Sequence, residues 1–438
     1  MRRHRIAILG AGPAGLTAAS LLKEKSSVEP VVLEKSERVG GKSWTVKHGP
    51  LITELGTCYS TRAHRYTDKL MKRLGFQQTR LGRQVFDGDD FVAYLKSGDG
   101  SPLALQALKF LMLRAEFMWR AERTDPDQRT LDEAAKPIGE WLKGHDLPKM
   151  ELFMHRALTV MGYGYVETTS TIQALRWCDL DLVLTGVRNH LYWPNEGWST
   201  FWQALAREFE VRTDIEVERI DRYPDRVDIV TDRGVESFDG LINAVAPDTF
   251  ASLVEPTASE KWVADSITWQ GYFSTIVAVD NWFSEWETEG YSESATADDK
   301  LGRLVAVRCI GADPELGGRL YFTGQTPGDF SDEELKELLR HEITRRGGEV
   351  KSMIHSRRWK YFPMYDREAI AGGLTATMKR MQGEERTWHT GAAFCHEAVS
   401  NISRHNEALI PSLVQALEQS EARPADQVNF RWQHESGS

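Results

Sequence analysis

A chain of 438 residues has room for two or three domains, and 41% hydrophobic with 27% charged residues describes a folded globular chain and excludes a mostly disordered one. Its 54 basic and 64 acidic side chains leave a net charge of −10, so the bulk charge carries no argument for nucleic-acid binding. Cys58, Cys178, Cys309 and Cys395 lie too far apart for a CxxC pair, which argues against a zinc knuckle or disulfide framework and for reduced thiols in a cytoplasmic protein. No apolar run reaches the ~18 residues of a spanning helix, and no secretory leader pattern precedes the first strand, so no stable membrane insertion is expected. The 14 Trp, 17 Phe and 12 Tyr residues suggest an aromatic-lined interior or cleft.

In chain order, Ile6-Ala7-Ile8-Leu9 reads as a buried parallel strand, Gly10-Ala11-Gly12-Pro13-Ala14-Gly15 as a glycine-rich turn, Leu16 to Leu22 as a helix and Pro30 to Glu34 as the next strand. Gly10 permits the tight turn, Gly12 lets a pyrophosphate approach the backbone, and Gly15 lets the helix pack close to the sheet. The helix N-terminus offers unpaired N–H groups to phosphate. Glu34 follows Gly15 by 34 − 15 = 19 residues, where a carboxylate accepts ribose hydroxyl bonds. These parts at this spacing predict a dinucleotide site. Arg38-Val39-Gly40-Gly41-Lys42 follows at once; its paired glycines permit a second close approach, and a basic residue there can face phosphate.

The stretch 61–190 reads as mostly helical, with helices over Thr67–Leu74 and Leu103–Trp119. The second is read as a core helix or as a wall for an apolar substrate. Met161-Gly162-Tyr163-Gly164-Tyr165 places glycines beside tyrosines, which permits close approach to a ring or to another helix. Ser199 or Thr200 is the expected cap of a helix over Phe201-Trp202. Strands are expected over Val217–Ile220, Val227–Val230, Val235–Phe238 and Leu241–Pro247, then over Ser274–Val279, Leu304–Cys309 and Arg319–Thr323. Ser331 to Glu334 forms a capping box before a helix ending near Gly347. Arg357 to Tyr365 reads as one aromatic strand. On an unbent strand Trp359 and Tyr361 share a face and Lys360 takes the other. Trp388 to Ala393 is a strand ending at Gly391, and Glu397 to Asn401 opens a helix ending near Leu413. A frayed or partly docked tail is expected from about Glu421.

With both ends read, the chain resembles the flavin amine oxidase superfamily, and within it the bacterial polyunsaturated fatty acid isomerases. The likeness lies in RIAILGAGPAGL, VVLEKSERVGGKS, MGYGY, the NEGW turn, the WKYFP strand and GAAFCHEAV. It implies tightly held FAD and an α/β fold: a Rossmann-like, glutathione-reductase-type FAD-binding domain with an α+β substrate domain and a helical insertion. The FAD-binding part would be assembled from 1–60, 195–250 and 385–420, with a helical cap over 61–194, a β-rich substrate region over 251–384 and a tail over 421–438. The implied cofactor residues are Gly10, Gly12, Pro13, Ala14, Gly15, Glu34, Lys35, Gly40, Gly41 and Lys42, joined by Gly56 near the isoalloxazine ring, Val217 near the adenine, and Gly391, Ala392 and Val399 at the closing helix. That helix N-terminus would stabilise the reduced flavin by its dipole. Ala392 stands where the family places an acid for a ribityl hydroxyl.

The resemblance further implies hydride transfer at flavin N5 on a small or lipid-like substrate, with return of the hydride to another carbon. Arg83 aligns with a family arginine that engages a substrate carboxylate, although the family's partner aromatic does not recur at Val183–Gly186. The alternative is an oxidase or dehydrogenase, of amine oxidase or desaturase type, with Trp359 and Tyr361 caging an amine. A third reading is a flavin-bound protein without turnover. No metal site is expected, since the histidines show no ligand spacing.

Overall fold

The computed structural model describes residues 3–284, 288–313 and 315–421. The expected tail beyond Glu421 lies outside the described residues. Five strands form a fully parallel sheet in the order Thr387–His389, Gly240–Asn243, Arg5–Leu9, Glu29–Leu33, Glu210–Arg212. Three widely separated stretches of chain therefore meet in one sheet. Alternate side chains of the first strand explain why both its faces are apolar. Ile6 and Ile8 pack with the helices Pro13–Lys25, Trp198–Ala206 and Val399–Glu421. Ala7 and Leu9 face a three-stranded antiparallel sheet of Val217–Arg222, Val227–Thr231 and Gly234–Phe238.

A seven-stranded sheet forms the second body, in the order Glu349–Trp359, Tyr272–Asp280, Gly318–Gln325, Leu304–Asp313, Thr288–Gly290, Gln84–Phe86, Asp89–Asp90. One face, with Ile276, Ala278, Val305 and Phe322, packs on the helical stretch through Phe110, Trp141 and Phe153. The other face, with Val277 and Val279, is covered by Leu339 and Ile343 of the helix Asp332–Arg345. Ser331 and Glu334 cap that helix reciprocally, as the sequence predicts.

Several expectations change in detail. The aromatic stretch from Arg357 is two strands in two sheets, because Pro363 has no N–H for the ladder and Phe362 takes a φ of +33°. The carbonyls of Tyr361 and Phe362 instead accept from Gly271 at 2.8 Å and Gln270 at 3.1 Å. Neither Ser199 nor Thr200 caps its helix; Gly197 holds that position, and Ser199 exchanges hydrogen bonds with Thr45. The strand at 241 ends at Asn243, and Pro247 opens a short helix at the position proline prefers. The last helix runs on to Glu421, because Leu413 and Leu417 continue its buried stripe past Pro411. The helix Leu103–Ala121 buries Phe110 and Phe117 but exposes Leu105, Leu108, Met112 and Trp119. No described helix is long and apolar enough to cross a membrane.

Candidate active site

The glycine-rich turn is built by crowding. Gly10 adopts a φ of +94°, and a Cβ on Gly15 would stand 2.0 Å from the Gly10 carbonyl oxygen. Gly12 caps the helix Pro13–Lys25 without a side-chain acceptor, which leaves its first amides open. The double-glycine segment crosses this turn in backbone contact: a Cβ on Gly41 would lie 2.9 Å from the Gly12 Cα. The Gly40 amide donates to the Ala11 carbonyl at 2.8 Å. Arg38 braces the crossing, donating to the carbonyls of Ser43 at 3.1 Å and of Gly41, with its guanidinium 4.1 Å from the Trp44 ring centre.

Glu34 accepts from the Ala11 amide at 2.7 Å and from the Ser36 amide and hydroxyl at 2.9 and 2.6 Å. Its carbonyl accepts from Ile215, which brings the strand beginning at Val217 alongside, and Lys35 pairs with Glu216 at 2.8 Å. The closing segment completes the groove. Gly391, at a φ of +99°, faces Ala14, and Asn406 of the last helix donates to the Ala14 carbonyl at 2.9 Å. A path lined by open amides and side-chain-free backbone fits the pyrophosphate of a dinucleotide. Lys42 turns away from it, toward Glu397 at 2.7 Å.

Beyond Gly56 lies a cavity of about 100 Å³. Its walls include Lys42, Gly56 to Tyr59, His64, Val160, Met161, Tyr163, Trp177, Tyr272, Ala306, Phe322, Trp359, Tyr361 and Glu397 to Val399. Gly56 admits the neighbouring backbone, since a Cβ there would sit 1.7 Å from the Lys42 carbonyl oxygen. Trp359 is fixed by its indole N–H, which donates to Ser274 at 2.8 Å, and Ser274 donates to the Leu55 carbonyl at 2.6 Å. Tyr361 stacks on Tyr163 at 5.8 Å and lies 5.7 Å from Tyr272. A Cβ on Gly162 would lie 2.6 Å from the Tyr272 ring, so the glycine beside Tyr163 serves ring-to-backbone contact.

The cavity walls carry little charge. Burial pushes the Cys58 thiol and the Tyr59 phenol up to about 12 and raises Tyr272 and Tyr361 well above their usual range. Burial lowers His64 to about 4, and its Nδ1 accepts from the Thr61 amide at 2.9 Å. Lys42 and Glu397 neutralise each other. Trp359 and Tyr361 thus meet at the cavity with Val399, whereas Lys360 pairs with Asp248 outside it. Arg83 is placed elsewhere: it is 45% exposed, 3.5 Å from Asp90, and does not line the cavity. Ala392 also stands outside the lining. Sequence reasoning missed Cys58, Tyr59, His64 and Tyr272, which bear no motif spacing; only the glycine–tyrosine cluster hinted that rings converge.

Glu54, two residues before Gly56, is fully buried. It accepts from Thr45 and from the Trp198 amide, both at 2.8 Å, while its second oxygen finds no partner. Burial raises it to about 8. The folded state then binds a proton that the unfolded chain releases near 4.5, so stability falls as pH rises between those values. Glu54→Gln is expected to flatten this fall and to be the more stable form above about pH 8, by up to about 5 kcal/mol. Thermal melts of both proteins across the window check it; parallel curves would refute it.

A parallel sheet with this double-glycine crossing, joined to a sheet-walled aromatic cavity, defines an FAD-dependent enzyme of the oxidoreductase type. The chain belongs to the flavin containing amine oxidoreductase family, whose model matches residues 13–401, and FAD is its cofactor. It is 27% identical to tryptophan 2-monooxygenase of Rhizobium rhizogenes over 295 residues, which are 55% of this chain and only 38% of that protein. Its fold is similar to that of the CLA-producing fatty acid isomerase from P. acnes, with a TM-score of 0.81 at 20% identity over 93% of this chain and 98% of that one. It is also similar to cyclohexylamine oxidase from Brevibacterium oxydans, with a TM-score of 0.69 at 14% identity over 95% and 100%.

Proposed function

We propose that this enzyme is a redox-neutral double-bond isomerase of an unsaturated, lipid-like carboxylic acid. The observation that carries the reading is the cavity's chemistry: aromatic and aliphatic walls, phenols and a thiol held neutral, and one ion pair that cancels itself. Bound FAD supplies a two-electron acceptor and donor at its ring. The chain's residues position and shield. Trp359, locked through Ser274 to the Gly56 turn, and Tyr361, braced by Tyr163 and Tyr272, present flat apolar faces to a planar unsaturated segment. Their burial excludes water from the reacting carbons.

A C–H bond flanked by double bonds gives up its hydrogen without a strong base, and a hydrogen returned to another carbon leaves the mass unchanged. A cationic amine meets the opposite environment. Entering as an ammonium, it would be stripped of water, and the cavity's carboxylate, Glu397, is already bound by Lys42. The four cysteines are free thiols, which supports a reducing, cytoplasmic setting. The aromatic pair Trp359 and Tyr361 supports a second reading, an amine-caging oxidase or dehydrogenase that passes electrons to oxygen or a carrier.

Anaerobic single turnover separates the two. Yellow protein is mixed with unsaturated fatty acids or amines, and flavin absorbance and product mass are followed together. The isomerase reading expects product of unchanged mass and an oxidised flavin spectrum restored without oxygen. Bleaching that lasts until air enters, with product two hydrogens lighter, overturns it and establishes the oxidase.

A further inference from the structure

We infer that Arg308 and Arg156, buried behind the wall of this cavity, form an anion-binding site that holds the carboxylate of the substrate, an inference that rests on the acid-substrate reading above. Both side chains belong to residues only 3% exposed. Arg308, on the strand Leu304–Asp313, donates from Nη2 to Thr53 at 2.9 Å, and its Nη1 is buried without an acceptor. Arg156, on the π-helical turn His155–Val160, donates from Nε to Gln84 at 2.7 Å, and its Nη1 and Nη2 are both buried without acceptors.

Two guanidinium groups thus leave three nitrogens unfilled, and among the described residues no carboxylate stands in ion-pair contact with either. The field of Glu54 reaches Arg308, but Glu54 spends one oxygen on Thr45 and Trp198. A buried cation without a counter-charge is expensive, and two that both act on Tyr59 are completed by an anion that joins them.

Neither arginine lines the cavity itself, and Arg308 also borders a separate groove with Trp193 and Arg319, but neighbours of both are cavity walls. Arg308 lies two residues from Ala306 along a regular strand, so both project from the same face, and it pairs in register with Phe322. Ala306 and Phe322 are cavity walls. Arg156 is four residues before Val160, another wall. Tyr59, also a wall, lies with its ring centre 5.9 Å from the Arg308 guanidinium and within the electrostatic reach of both arginines. Trp193 at 4.2 Å and Phe91 at 5.2 Å cover the outer faces of Arg308 and Arg156. Planar, forked donors suit a carboxylate, and the aromatic walls leading away from them suit a hydrocarbon chain. This inference gives Arg308 and Arg156 the carboxylate role that the resemblance implies for Arg83, which lies half exposed beside Asp90.

The test uses FAD-loaded enzyme and equilibrium binding of linoleic acid against linoleyl alcohol. Wild type is expected to favour the acid at least about tenfold. Arg308→Gln and Arg156→Gln should each erase most of that preference while leaving alcohol binding in place. Arg308→Lys should restore part of it, and Arg83→Gln should keep it. Equal affinity of wild type for acid and alcohol, binding of neither, or a preference that survives both Gln variants overturns the site. A variant that misfolds loses its flavin spectrum; wild type then decides alone, through competition by octanoate but not octanol for the bound acid, and failure of octanoate to compete counts against the site. Tight acid binding lost in the Gln variants, together with product two hydrogens lighter, would leave the anion site standing and remove only the isomerase reading.

Discussion

Gly41→Ala is expected to give protein that folds but purifies nearly colourless. Gly41 takes a φ of +53°, where a side chain costs about 1–2 kcal/mol, and the new Cβ would stand 2.9 Å from the Gly12 Cα. Backbone carries that contact on the other side, so no side-chain rotation relieves it. The two glycine segments must part, and the amides of the first helical turn lose their alignment toward the pyrophosphate. Loss of two or three charge-assisted bonds weakens FAD by about a hundredfold. Gly49 supplies the control, because it shares the φ of +53° with nothing within 4 Å of its Cβ position. Gly49→Ala is expected to lose only the backbone-strain energy and to stay yellow. The ratio of flavin to protein absorbance, followed by FAD titration of the stripped proteins, measures both. Equal flavin content in the two variants would mean that the crossing of Gly12 and Gly41 does not set FAD affinity.

The parallel-sheet half of the molecule was legible because its strand, turn and helix geometry requires glycine and acid at fixed spacing. Gly10 to Gly15, Glu34 and the Gly40-Gly41 pair are short-range patterns, and each sits where the spacing placed it. The cavity was less legible because its walls come from many separated stretches of strand, helix and loop that only the folded chain brings together. Tyr272 and Phe322 look like any core aromatic until their strands are paired, and Tyr59 sits in a loop outside any strand. The strand from Arg357 misled for a local reason: a run of aromatics has high strand propensity, and only the missing N–H of Pro363 marks the break. That break nonetheless leaves Trp359 and Tyr361 on the cavity and Lys360 off it, the outcome that simple alternation gives. Arg156 and Arg308 carried no signal at all, since an arginine in a strand or helix pattern reads as a solvent-facing residue.

Glu260→Gln is expected to destabilise the fold by about 3–5 kcal/mol, a large share of a typical total of about 5–15. Glu260 is buried and accepts both Arg222 terminal nitrogens, at 2.5 and 2.9 Å, together with the Thr257 amide at 2.8 Å. His389 stands 3.5 Å away; its Nδ1 faces the Asn243 amide nitrogen, so the ring is assigned as neutral with its proton on Nε2, toward Glu260. One carboxylate therefore ties the antiparallel sheet, through Arg222, to the helix Ala258–Asp265 and to the parallel strand Thr387–His389. Glutamine keeps the size but strands the buried Arg222 charge. The pH dependence offers an independent estimate. Despite burial, the hydrogen bonds from His389, Arg222 and Thr257 hold Glu260 down to about 2 from 4.5. A depressed carboxylate contributes stability that is complete above about pH 4.5 and is lost as pH falls toward 2, about 3 kcal/mol in all. Denaturant unfolding of wild type, Glu260→Gln and the double variant Arg222→Met with Glu260→Met tests both routes. The double variant should recover much of the loss, because it removes the stranded charge together with its partner. A single variant within 1 kcal/mol of wild type would show that the pair does not anchor the two sheets. If the groove between Gly391 and Ala14 holds the flavin nucleotide, the loss should also reach flavin occupancy, since the strand ending at His389 leads directly to Gly391.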